Sequence, residues 1–147
     1  MKTKILVALL VVIFSGACKK DKYNTKPQIT FKKASTNTLR NNGTITFNME
    51  VTDAEGDLQD TMWIQKNVPR CTASNFIAKY KMPDFTSVKN LKAQLDVCFA
   101  YGNNLGCPVI SGPACARNDT ATFRFWLKDK GGNVSDTAVS STIVILR

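Results

Sequence analysis

Four carboxylates crowd one short stretch of the chain: Asp53, Glu55, Asp57 and Asp60, with Gly56 among them. Alternate acids in a Gly-containing loop can bind a hard cation, and calcium suits them because it accepts several oxygens in flexible geometry. The spacing is not that of an EF-hand loop: Glu55 stands where Asp or Asn is usual, and no Glu closes the loop. A site with so few ligands would be weak, in the roughly 10⁻⁴–10⁻³ M range of extracellular modules. The same residues read more simply as a solvated turn whose Asp side chains cap backbone amides. A third reading takes two of them as a glycosidase-like pair, which makes a small envelope hydrolase the alternative function.

The chain has 147 residues and no His. That excludes Ser-His-Asp and Cys-His nucleophile systems, an imidazole base and His-ligated zinc. The carboxylate-pair chemistry that needs no His calls for a deep aromatic-lined cleft, which a small sandwich with short loops rarely has, so enzyme activity is not expected. Of the five Cys, Cys71, Cys98, Cys107 and Cys115 lack Cys-x-x-Cys spacing and do not read as a zinc site. In an exported chain an even set argues for two disulfides. Sequence leaves three connectivities open. The turn-rich segment from Cys107 to Cys115 favours closing that ring, with Cys71 bonded to Cys98. Cys71–Cys107 with Cys98–Cys115 is the rival.

The export argument rests on the N-terminus. Lys2 and Lys4 precede an apolar run from Ile5 to Phe14, followed by Ser15, Gly16 and Ala17. A basic start, an apolar centre and small residues make a secretory signal peptide. The run is about half the length of a membrane-spanning helix. Ser15-Gly16-Ala17-Cys18 resembles a bacterial lipobox, with Ser15 where Leu is usual. The resemblance implies lipidation of Cys18 by diacylglycerol and an N-acyl chain such as palmitate, hence anchoring to a membrane. It divides the chain into a signal peptide over 1–17, a polar Lys-rich tether over 18–26 and a domain over 27–147. Lys19 after the lipidated Cys resembles outer-membrane sorting.

The net charge of +9 reads as headgroup contact by Lys19, Lys20, Lys22 and Lys26 plus a soluble lysine surface, since export argues against nucleic acid as partner. An envelope protein or a glycan is the expected partner class. Trp63 and Trp126 fall opposite the apolar rows of their segments. They read either as cover for the second face of a sheet or as an exposed platform.

The elements that must position these residues are strands. Thr44 to Thr52 alternates polar and apolar throughout, with Ile45, Phe47, Met49 and Val51 inward. Pro27–Lys33, Thr61–Gln65, Lys92–Tyr101 and Thr122–Lys128 repeat that period, and Thr137–Leu146 closes the chain with a run rich in Val, Ile and Thr. Asn41-Asn42-Gly43 and Lys130-Gly131-Gly132-Asn133 are turns. Residues 74–80 read as one helical turn. Six to seven short antiparallel strands make an all-β sandwich.

Phe125-Trp126-Leu127-Lys128-Asp129-Lys130-Gly131-Gly132-Asn133-Val134-Ser135-Asp136-Thr137 resembles the last hairpin of bacterial immunoglobulin-like domains, and Val51-Thr52-Asp53-Ala54-Glu55-Gly56-Asp57-Leu58 resembles one of their acidic loops. With the lipobox and tether, the chain is similar to small Bacteroidetes-type surface lipoproteins. That resemblance implies an immunoglobulin-like fold and a non-catalytic binding or scaffold role in the cell envelope, at the outer membrane. Asp60-Thr61-Met62, Asp119-Thr120-Ala121 and Asp136-Thr137-Ala138 resemble that group's O-glycosylation triplet.

Overall fold

The computed structural model describes residues 23–103 and 106–147. The signal peptide, Cys18 and the first tether lysines, Lys19, Lys20 and Lys22, lie outside the described residues. The fold is organised by β3 (Thr44–Asp53), the strand whose alternation is cleanest. Ile45, Phe47, Met49 and Val51 are buried on one face, while Thr46, Asn48 and Glu50 remain partly exposed on the other. β3 pairs antiparallel with β1 (Gln28–Ala34) on one side and β6 (Leu91–Tyr101) on the other. β7 (Val109–Ile110) adds to the end of β6 in parallel.

The facing sheet runs β2 (Thr38–Leu39), β10 (Ile143–Ile145), β8 (Asp119–Lys128), β4 (Thr61–Asn67), β5 (Phe76–Lys81), with β9 (Ala138–Val139) also on β8. Core side chains come from both sheets. Phe47 of the first meets Phe123 and Phe125 of the second at ring-centroid distances of 4.7 and 5.2 Å. Each buried Phe contributes about 1.5–3 kcal/mol. The result is a β-sandwich in which β1, β3 and β6 pack on β4, β8 and β10, the immunoglobulin-like division of strands.

The strands are more numerous than periodicity suggests. Two-residue pieces such as β2, β7 and β9 are too short to carry a period. β2 with β10 and β6 with β7 run parallel, so the sheets are mixed rather than purely antiparallel. Residues 74–80 are not a helical turn. A 3₁₀ turn covers Thr72–Ser74 only, and β5 follows with Phe76, Ala78 and Tyr80 turned inward against exposed Ile77, Lys79 and Lys81. The closing run breaks into two strands at Ser140. Ser140 donates its amide to the Phe123 carbonyl, and its Oγ accepts from the Phe123 amide at 2.9 Å. Ser135 does the same at Leu127. A serine hydroxyl thus replaces a backbone carbonyl wherever the last strand pulls away from β8.

The four domain cysteines form two disulfides, but in neither expected pattern. Cys71 bonds Cys115 and Cys98 bonds Cys107. Register explains both. Asn67 at the end of β4 pairs with Thr122 near the start of β8, so the segments flanking that corner bring Cys71 to Cys115. The parallel pairing sets Ala100 opposite Val109. Two residues upstream on each segment stand Cys98 and Cys107. Turn content between Cys107 and Cys115 suggested a local ring, yet that segment is claimed by β7.

Candidate acidic site at one end of the sandwich

β3 delivers Asp53 to the end of the sandwich, where the chain turns at Gly56. Gly56 has φ of +69°, and a Cβ there would lie 2.1 Å from the Val88 carbonyl oxygen, so no other residue fits without displacement. Asp53 Oδ2 accepts from the amides of Gly56 (2.6 Å) and Asp57 (3.2 Å). The turn at the other end of β8 faces it. There Asp129 Oδ1 accepts from the Asn133 amide (2.7 Å) and Oδ2 from the Asn133 side-chain amide (2.9 Å). The two loops are joined where Lys130 donates its amide to the Asp57 carbonyl at 3.0 Å.

This convergence brings carboxylate oxygens of Asp53, Asp57 and Asp129 within 4.8 Å of one another. Asp53 and Asp129 are fully buried and Asp57 is half-buried. Asp53 Oδ1 and Asp57 Oδ1 are buried with no hydrogen-bond partner among the described residues. Burial pushes the Asp53 carboxyl above its ordinary value; the amides of Asp57 and Gly56 oppose this, and the charges of Asp57 and Glu55 reinforce it. None of the ion pairs among the described residues involves Asp53, Asp57 or Asp129.

Of the four acids singled out in sequence, Asp53 and Asp57 come together. Glu55 points to solvent. Asp60 turns away to Lys128 (3.6 Å) and the Thr61 hydroxyl (2.8 Å). Asp129 takes the third place, although its sequence context read only as a hairpin. The nearby cavity of about 190 Å³ is apolar, lined by Val51, Leu58, Met82, Phe85 and Leu91, with none of these acids on its wall.

Trp63 and Trp126 sit in register on the outer face of β4 and β8. Their rings stack at 6.1 Å with planes 2° apart, and Lys79 Nζ lies 5.6 Å over Trp63. Both are half-buried, so they cover that face in part and stay partly accessible to solvent. Of the glycosylation-like triplets, Thr61 is buried, whereas Thr120 and Thr137 are exposed.

One charged group escaped sequence reading altogether. Lys66 lies in the core and bonds Asp119 Oδ2 at 2.8 Å, with side chains 1% and 0% exposed. Asp119 Oδ1 accepts from Ser74 Oγ (3.0 Å), which in turn accepts from the Ala114 amide (2.9 Å). The signal was present: Lys66 is in phase with inward Met62 and Ile64.

A scan against protein-family models finds no match to this chain, and neither does a search of curated proteins.

Proposed function

We propose that the chain is a lipid-anchored module of a bacterial cell envelope, at the outer membrane, whose role is binding or scaffolding rather than catalysis. The observation that carries this is the N-terminal series Lys2, Lys4, Ile5–Phe14 and Ser15-Gly16-Ala17-Cys18, followed by a lysine-rich segment leading directly into the sandwich. The end of that segment docks on the acidic end of the domain: the Asn24 carbonyl accepts from the Ala54 amide at 3.0 Å, and Lys26 pairs with Asp136. A lipid on Cys18 would therefore hold this end towards the membrane. The stacked Trp63–Trp126 pair, flanked by Lys79, supports a glycan or protein partner on the side of the sandwich.

The hydrolase alternative is not favoured. Asp53 is buried against its own loop amides, where a substrate would have to displace the fold to reach it. Metabolic labelling tests the anchor. Wild type should incorporate labelled palmitate and fractionate with membranes, and Cys18→Ser should do neither. Label in the serine variant would refute the assignment.

A further inference from the structure

We propose that Asp53, Asp57 and Asp129 form a calcium site that clamps the loop after β3 to the hairpin after β8. Three observations converge. The carboxylate oxygens lie within 4.8 Å of one another, which suits ligands of one ion at calcium–oxygen distances of about 2.3–2.6 Å. Asp53 is 0% exposed, yet its Oδ1 has no partner among the described residues, and Asp57 Oδ1 is buried in the same state. An unpaired buried carboxylate oxygen is costly, and three gathered acids repel one another. No Lys or Arg among the described residues forms an ion pair with them. A cation from solution answers both deficits at once.

The site is preorganised on the protein side. Asp53 Oδ2 is fixed by two loop amides, which leaves Oδ1, buried and without a partner among the described residues, as the donor still open to a cation. Asp129 is held from both oxygens by Asn133, each of which keeps a lone pair for a metal. The all-oxygen donor set selects a hard ion, and the absence of His or Cys from the cluster disfavours zinc. Calcium tolerates three carboxylates in irregular geometry with water completing the shell, whereas magnesium demands a near-ideal octahedron. The donors come from opposite ends of the domain sequence, so only the folded chain assembles them. This proposal does not depend on the lipid anchor.

The test uses the full chain in detergent, stripped with chelator and titrated with calcium chloride by calorimetry and by thermal unfolding. A dissociation constant near 10⁻⁴ M would shift the unfolding equilibrium about 100-fold at 10 mM calcium. The melting temperature should rise accordingly. Asp129→Asn and Asp57→Asn should each abolish the rise, while Glu55→Gln and Asp60→Asn should leave it intact. Asp57→Asn is the safeguard, because its side chain is half-exposed and its loss should leave folding in chelator unharmed. An unmoved melting temperature at 10 mM calcium would overturn the site. So would an equal response to magnesium, or full calcium affinity in Asp57→Asn.

Discussion

Strand β8 carries a buried aspartate at its start and another just past its end, roughly 33 Å apart by strand rise. Asp119 and Asp129 are 0% and 1% exposed. The chain treats them differently. Asp119 meets Lys66 at 2.8 Å and the Ser74 hydroxyl at 3.0 Å, so charge and lone pairs are both answered from within. Among the described residues Asp129 meets no cation, and it shares its surroundings with two more carboxylates, two of whose oxygens are buried without a partner there. One end is a completed ion pair. At the other, the described residues supply only the negative half. That difference, rather than the number of acids, is what the proposed calcium site rests on.

The largest expected effect lies at the completed end. Lys66→Met removes the cation and leaves Asp119 charged in the core, at a cost of about 3–5 kcal/mol. Adding Asp119→Leu should recover most of the loss, because an apolar pair of similar volume often replaces a buried ion pair without penalty. Urea unfolding of both variants gives the two numbers. If Lys66→Met proves harmless, a lone buried aspartate is tolerable in this domain, and the contrast between the two ends loses its meaning.

The disulfides come next, and they too are unequal. Cys71–Cys115 closes a separation of 44 residues beside the Lys66–Asp119 pair, and Cys98–Cys107 closes only 9. Chain-entropy reasoning gives about 4 kcal/mol for the first and about 2.6 kcal/mol for the second. Double Ala variants of each pair, unfolded in urea, should rank in that order. Peptide mapping without reductant should return the two pairings found here. Losing Cys71–Cys115 should loosen the Lys66 end and spare the response to calcium, which keeps the two ends separable.

Sequence reading reached the sandwich because β3, β4, β6 and β8 carry clean alternation, and that signal is local. It missed β5, where Phe76, Ala78 and Tyr80 alternate over too short a span beside a 3₁₀ turn to stand out. It missed the disulfide pattern because pairing depends on the parallel register of Ala100 with Val109. The acidic site was half legible. Asp53 and Asp57 share one loop, whereas Asp129 arrives through strand order: β8 ends beside the loop that follows β3. Asp60 and Glu55 looked equivalent in sequence, but the turn at Gly56 sends one to solvent and strand β4 hands the other to Lys128.

The smallest expected effect comes from a carboxylate that has cations but sits partly exposed on the outer face of a sheet rather than in the core. Glu50, on the outer face of β3, is flanked by Lys92 at 2.8 Å and Lys32 at 3.4 Å. The hydrogen bond from Lys92 is the main cause holding the Glu50 carboxyl below its ordinary value of 4.5. The linked shift raises Lys92 above 10.5, chiefly through the same bond. Because the folded value of Glu50 is depressed, its stabilisation is present above 4.5 and is lost as the pH falls through the folded value. The Lys92 contribution has the opposite sense: it is full below 10.5 and lost as the pH rises through its elevated value. Glu50→Gln should therefore be slightly less stable than wild type at pH 7, and the gap should close in acid. Solvent screens this cluster, so the gap should also shrink in 1 M salt, where the Debye length is about 3 Å. The Lys66→Met penalty should persist in the same salt, since water and ions do not reach the core. Equal salt sensitivity at Glu50 and Lys66 would mean that burial does not separate the two settings, and the case for a cation at the unpaired end would weaken with it.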